Sequence, residues 1–236
     1  MENISIAPIR LMQRQEKKYL LSISRAALLR GRLKSLLKSD PHNGTLGGYK
    51  IRSLYFDTVY DEDYFDKVEG LLHRRKIRLR LYPPVFHIAM LESKEKNGSD
   101  QRKRSLKLSR EDAESLQRGC YKVLKNYDND FAQEMYATMT REAYIPKCIV
   151  EYNRSAFIGE NDTRITLDSD VRAKSSGFGL FDEHIHVMPV IEPGDVVMEV
   201  KYKHFLMGYI RDMLSKDCKL ESSVSKYEMA RAVTLS

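Results

Sequence analysis

The chain of 236 residues carries a formal net charge of +7, with 31% charged and 42% hydrophobic residues, a balance that fits an ordered soluble protein and excludes a disordered or fibrous one. Its longest apolar runs are too short to cross a bilayer and the opening MENISIAPIR lacks a basic start followed by an apolar core; Cys120, Cys148 and Cys218 stand singly with no C-x-x-C pair, so a cytoplasmic protein without a disulfide framework or zinc site is expected. The excess of cations favours a polyanionic partner, without deciding among nucleic acid, acidic lipid and phosphate compounds.

In chain order, residues 9–23 lead into the alternating RQEKKYLLS, a strand. Ser24 is placed to cap a helix through about Lys38, with Leu28, Leu29, Leu33, Leu36 and Leu37 as its apolar stripe. After the turn-rich DPHNGTLGG, strands follow at YKIRSLYFD, RRKIRLRLY, FHIAMLESKEK and RKRSLKL, punctuated by Pro83-Pro84 and Asn97-Gly98. Ser109 with Asp112 reads as a capping box that opens a short helix to about Arg118, and a second helix covers about 129–143. After Pro146 come KCIVEYNRSAFIG, TRITLDSDVRA and, past a Gly/Ser-rich loop at 175–179, DVVMEVKYK. Helices near 204–216 and 225–233 close the chain. With no internal repeat and no linker, one domain over 1–236 is expected.

Period-two reading keeps returning a charged face. HRRKIRLRLYPP sets Arg74, Lys76, Arg78, Arg80 and Tyr82 opposite Ile77, Leu79 and Leu81; elsewhere Glu16 shares a face with Lys18, Glu92 with Lys94 and Lys96, Tyr152 with Arg154, Arg164 with Thr166, Asp168 and Asp170, and Glu199 with Lys201 and Lys203. A wet sheet face accounts for any one strand. The repetition, always Arg or Lys with a carboxylate nearby, suggests a sheet closed with its charged face inward and helices outside. Such a lumen must be wet, lined with carboxylates, or filled by an anion and metal ions, because each unpaired interior cation costs several kcal/mol. A polyphosphate chain fits: at an effective dielectric near 20, unit charges 4 Å apart interact by roughly 4 kcal/mol before desolvation. Arg would supply forked donors and Lys compact charges.

The ordered set EKKYLLS, YKIRSLYFDT, KIRLRLY, LESKEK, KRSLKLS, VEYNRSAF, TRITLD, MEVKYK and SVSKYEMA closely resembles the vacuolar transporter chaperone (VTC) catalytic domain and its free-standing bacterial relatives, within the CYTH-like triphosphate tunnel metalloenzymes. The resemblance implies an α+β fold, a closed antiparallel β-barrel tunnel of about eight strands with a charged interior and helices packed outside. It implies a polyphosphate polymerase that transfers the ATP γ-phosphate to a growing polyphosphate chain with Mn²⁺ or Mg²⁺. Its phosphate ligands would be Lys18, Arg78, Arg80, Lys94, Lys103, Arg154, Arg164 and Lys226, with Tyr152 and Ser225 as polar partners, Glu199 as the metal-binding glutamate and Lys201 beside it. Two departures stand out. Hydrolytic tunnel enzymes typically begin Glu-x-Glu-x-Lys, whereas this register reads Arg14, Glu16, Lys18, which lowers the expectation of triphosphate hydrolysis. The transmembrane segment and extra phosphate-sensing domain of eukaryotic VTC complexes are not expected here.

Two alternatives stay open: a triphosphatase or nucleotide-processing enzyme using the same tunnel, and a non-catalytic module binding polyphosphate or nucleic acid. The last would favour exposed basic patches with stacking aromatics, and no nucleic-acid partner is expected. His184-x-His186 reads as structural or solvated, and DTVYDEDYFD, lacking the Gly and terminal Glu of an EF-hand loop, as a turn and short helix.

Overall fold

The structure, a computed structural model, describes residues 14–44, 47–82, 88–175, 177–217 and 225–235. Sequence readings that fall on residues 1–13, Pro83-Pro84, Phe86-His87 and Cys218 lie outside them. Strand β1 (Arg14–Ser22) turns Tyr19 and Leu21 to one side and Glu16 and Lys18 to the other. It runs straight into α1 (Ile23–Leu36), whose N-cap is Ser22 rather than Ser24. That start sets which stripe faces the sheet: Ala26, Leu29 and Leu33, spaced three and four residues apart, are buried, while Leu28 and Leu36 of the expected stripe face solvent at 63% and 49% exposure.

The remaining elements follow as β2 (Lys38–Ser39), β3 (Tyr49–Thr58), α2 (Glu62–Val68), β4 (His73–Leu81), β5 (Ile88–Asn97), β6 (Asp100–Ser109) and α3 (Arg110–Gln117), then a 3-10 helix at Tyr121–Asn126 and α4 (Asp130–Arg141). After these come β7 (Tyr144–Ile158), β8 (Arg164–Lys174), β9 (Met188–Pro189), β10 (Asp195–Lys203), α5 (Gly208–Asp217) and α6 (Lys226–Thr234). Ser109 caps α3 through its hydroxyl on the Asp112 amide, and Gly98 takes the positive φ of 59° that the β5–β6 hairpin requires. Strand β7 begins two residues before Pro146, not after it. A bulge opposite Tyr55 and Phe56 leaves Lys147 outside the register, and this irregularity lets a residue without an N–H sit inside a strand.

All neighbouring strands are antiparallel, in the order β1-β10-β8-β7-β3-β4-β5-β6, with β2 on β7 and β9 on β8. The expected closed barrel is not what forms. Among the described residues β1 and β6 end the strand order, and no backbone pairing joins them. The sheet is nonetheless strongly curled: β5 stands six places from β1, about 29 Å in a flat sheet at about 4.8 Å per strand, yet Lys94 reaches Glu16 at 3.2 Å. β6 explains the open seam. Its DQRKRSLKLS is mostly exposed, and a charged edge keeps its unpaired amides in water rather than offering them to another strand.

Two apolar cores cover the convex face. One lies under α3, the 3-10 helix and α4, against Leu54, Ile77, Leu79 and Leu91; the other lies under α1 and α5, against Phe157, Ile165, Leu167 and Met198. A third corrects the expectation that helices pack only outside. Tyr227 and Ala230 of α6 pack with Ile51, Tyr55, Val150, Tyr152 and Val171 on the concave face, and the Tyr227 ring stacks on Tyr55 at 4.9 Å between centroids. The acidic run does form a turn and short helix, and its carboxylates anchor α6. Asp57 accepts the Tyr227 hydroxyl together with the Thr58, Asp63 and Tyr64 amides, while Asp61 holds Arg231 at 2.7 Å and Lys147 at 3.2 Å.

Asp63 in this run yields a pH prediction. It is buried, accepts from the Tyr144 hydroxyl at 2.8 Å, and burial with the neighbouring Asp57 charge pushes its carboxyl up to about 7. A carboxyl raised on folding contributes stability that is fully present below its ordinary value near 4 and lost as pH climbs through 7. Asp63→Asn, which has no charge to bury, should gain on the natural protein by about 2.5 kcal/mol between pH 5 and pH 8. Denaturant melts at the two pH values measure this, and a gap independent of pH would contradict it.

Candidate phosphate-binding trough

The concave face encloses a cavity of ≈ 720 Å³. Because side chains alternate along each strand, the inner positions of β1, β10, β7, β4, β5 and β6 all point into it, and α6 adds its first residues. Of the residues expected from sequence, the structure gathers Lys18, Arg78, Arg80, Lys94, Lys103, Tyr152, Arg154, Glu199, Lys201, Ser225 and Lys226 on its walls. Arg164 is not among them. It shares the inner face opposite Lys201, but its guanidinium is drawn to Asp40 at 2.8 Å and to the Tyr49 hydroxyl at 3.4 Å, away from the cavity.

The cations are held by three acidic centres. Glu92 accepts from Arg78 and Lys103 at 2.7 Å each and lies 3.7 Å from Arg80. Burial alone would raise its carboxyl, but these cations outweigh burial and hold it down to about 2. Asp168, fully buried, takes the Arg154 fork through both oxygens at 2.7 Å and Lys226 at 2.7 Å. It too is held below the usual carboxylate range against burial, by Lys226 and Arg154. The third centre is a carboxylate pair. Lys201 contacts Glu199 closely and lies 3.8 Å from Glu16, while Glu16 also holds Lys18 and Lys94 at 3.2 Å each. Glu199 is pressed well below its ordinary value, with Lys201, Lys18 and Lys226 overcoming burial.

Sequence reading left Glu16, Glu92 and Asp168 as members of charged faces without a task in the site. The signal was present for Glu16 and Glu92, each the one carboxylate beside cations on its face, while Asp168 shared its face with Asp170. Lys76, which also lines the cavity, was noticed only as part of the same row. The aromatics are spoken for: Tyr152 has Arg154 over its ring at 5.2 Å and Lys226 at 5.0 Å, and Tyr55 is stacked on Tyr227.

Among the described residues no group of three or more His, Cys, Asp or Glu side chains converges as a metal cage. Glu16 and Glu199 offer hard oxygen donors on the cavity wall, bridged by a lysine ammonium. That donor set suits Mg²⁺ or Mn²⁺ sharing its coordination with phosphate oxygens and water, the usual way such ions are held where phosphates bind.

The sheet curls around a wall of cations, nearly all of them set against a buried carboxylate. The family model for the VTC domain matches residues 13–235. The chain belongs to the VTC domain family. Two solved structures share the fold. One is a candidate adenylate cyclase from Bacillus halodurans, 12% identical over 91% of this chain and 96% of that one, with a TM-score of 0.54. The other is a candidate adenylyl cyclase from Hippeastrum, described as having a dominant triphosphatase activity, 14% identical over 94% of this chain and 96% of that one, with a TM-score of 0.57. At such identities the likeness is one of fold. No curated protein matches the chain. No helix among the described residues is long and apolar enough to cross a membrane.

Proposed function

We propose that this protein is a metal-dependent polyphosphate polymerase, which transfers the γ-phosphate of ATP onto the end of a growing inorganic polyphosphate chain. The observation that carries the reading is the file of cations along the trough, each but one set against a carboxylate. Such a wall stays folded when empty and gives up ion pairs to a linear polyanion with little rearrangement. An oxygen of the chain's terminal phosphate attacks the γ-phosphorus, the bond from that phosphorus to the β–γ bridging oxygen breaks, and ADP leaves with the electron pair. Arg78, Arg80, Lys94 and Lys103 on one wall and Lys18, Arg154 and Lys226 on the other align the two phosphate chains and spread the charge of the transferring group. Glu199, with Glu16 near it, would hold Mn²⁺ or Mg²⁺, which supplies further neutralisation of phosphate oxygens. Among the described residues, Tyr152 and Tyr55 on the wall already have partners over their rings, which favours phosphate over nucleic acid as the occupant.

Incubation of the purified protein with ATP and Mn²⁺ or Mg²⁺, with products resolved by gel and phosphorus NMR, should show chain-internal phosphate resonances and ADP. Release of orthophosphate alone would instead support a triphosphatase. Tripolyphosphate should raise the melting temperature by several degrees, through binding to a site the unfolded chain lacks, and less so as salt rises. Duplex DNA at equal phosphate concentration should protect far less, being too wide for the trough. Equal protection by DNA would favour a surface nucleic-acid site, and no change with either ligand would leave the trough without its proposed occupant.

A further inference from the structure

Lys76 differs from every other cation on the cavity wall. Lys18, Lys94 and Lys201 lie against Glu16 or Glu199, Arg78, Arg80 and Lys103 against Glu92, and Arg154 and Lys226 against Asp168. Among the described residues no carboxylate pairs with Lys76. Its ammonium nitrogen meets the Ser225 hydroxyl at 2.6 Å instead, and the nearest acid on α6, Glu228, is turned to Lys67 at 3.2 Å. A phosphate that reaches any of the others must displace or share with a carboxylate; one that reaches Lys76 has no competing anion to displace.

We propose that Lys76 is an additional phosphate-binding residue of the trough, at the end where α6 enters it, and that it exchanges its contact with Ser225 for an oxygen of the bound polyanion. This rests on the reading of the trough as a polyphosphate site. The groups around Lys76 are mostly of its own sign: Lys18 on β1, Lys67 on α2, Lys94 on β5, Lys226 at the start of α6, and Arg74 and Arg78 on its own strand, with Glu228 opposing them from α6 and Glu16 engaged with Lys18 and Lys94. Burial, with the charges of Lys18, Lys67 and Lys94, pushes its ammonium down to about 7 in the empty protein. Near neutral pH a substantial share of the empty molecules therefore hold it uncharged. An arriving polyanion reverses the sign of its surroundings, so Lys76 must take up a proton as it binds. The empty site thereby lowers its own self-repulsion and restores the charge only when phosphate is present.

Calorimetric titration of the full chain with tripolyphosphate, in pairs of buffers of equal pH but different ionisation enthalpy, counts the protons taken up. Protonation changes of the ligand itself cancel when the natural protein is compared with Lys76→Arg, whose guanidinium stays charged throughout. The natural protein should take up more protons than Lys76→Arg, by about half a proton per ligand at pH 7 and nearly one at pH 8, with no difference at pH 5.5. Lys76→Met should bind tripolyphosphate about tenfold more weakly at pH 7, the scale of one lost charged hydrogen bond, while Lys76→Arg retains affinity. Undiminished affinity in Lys76→Met would remove Lys76 from the site and leave the trough reading standing, while equal proton counts at pH 8 with both proteins binding would overturn the proton uptake. Failure of tripolyphosphate to bind either protein would overturn both.

Discussion

Glu199→Gln is expected to lower metal-dependent phosphoryl transfer at least about a thousandfold, a loss of roughly 4 kcal/mol in the transition state, while metal-free binding of tripolyphosphate persists or tightens. Gln keeps the size and the hydrogen-bonding reach of the side chain and removes only its charge. The contact between Glu199 and Lys201 poses the choice sharply, because a glutamate in that position serves equally as a counter-ion. Its strongly depressed proton affinity shows how positive its surroundings are, and the same surroundings would repel a metal ion that arrived without phosphate. On the proposed reading the carboxylate would become a metal ligand only once phosphate oxygens neutralise Lys201, Lys18 and Lys226. As a counter-ion alone, its loss would leave the metal dependence of the rate nearly unchanged. A metal titration of the variant separates the two roles, and an unaltered titration curve would sink the catalytic assignment.

How far the sequence carried the site follows from where each residue's partners lie. Inner-face membership of Arg78, Arg80, Lys94, Arg154, Glu199 and Lys201 was legible because a strand alternates with a fixed period of two, and a one-residue error would have placed Ile77 and Leu79 in the cavity instead. Arg164 shows the limit of that rule. Alternation placed its Cα on the correct face, but its long side chain was captured by Asp40, from a turn 124 residues earlier in sequence. Closure was not legible either. Whether β1 and β6 pair is decided by edge hydrogen bonding and by the solvation of DQRKRSLKLS, and the pattern within each strand carries no information on that. The same holds for α6: its apolar residues announce that it packs, while the tyrosine stack and the contact with Asp57 that bring it inside depend on β3 and α2, more than 150 residues away.

Asp168 is where folding and binding are most tightly joined, and Asp168→Ala is expected to cost about 3–5 kcal/mol of stability in the empty protein. Its carboxylate is fully buried and receives three short contacts from Arg154 and Lys226, one from a neighbouring strand and one from α6. Removing it leaves two desolvated cations facing each other with no anion between them, a far larger cost than the loss of an exposed pair. The depressed carboxyl fixes the sign of the pH dependence: its contribution is present above the ordinary aspartate range and is lost as pH falls through its lowered value, so the gap between the natural protein and the variant should narrow in acid. Tripolyphosphate should then stabilise the variant by more degrees than it stabilises the natural protein, because phosphate oxygens can take the place of the missing carboxylate beside Arg154 and Lys226. Denaturant melts with and without tripolyphosphate test both halves. A variant as stable as the natural protein would show that Arg154 and Lys226 stay solvated without Asp168. A stability loss that tripolyphosphate repairs no better than in the natural protein would show that these two cations hold the fold together but do not face the ligand.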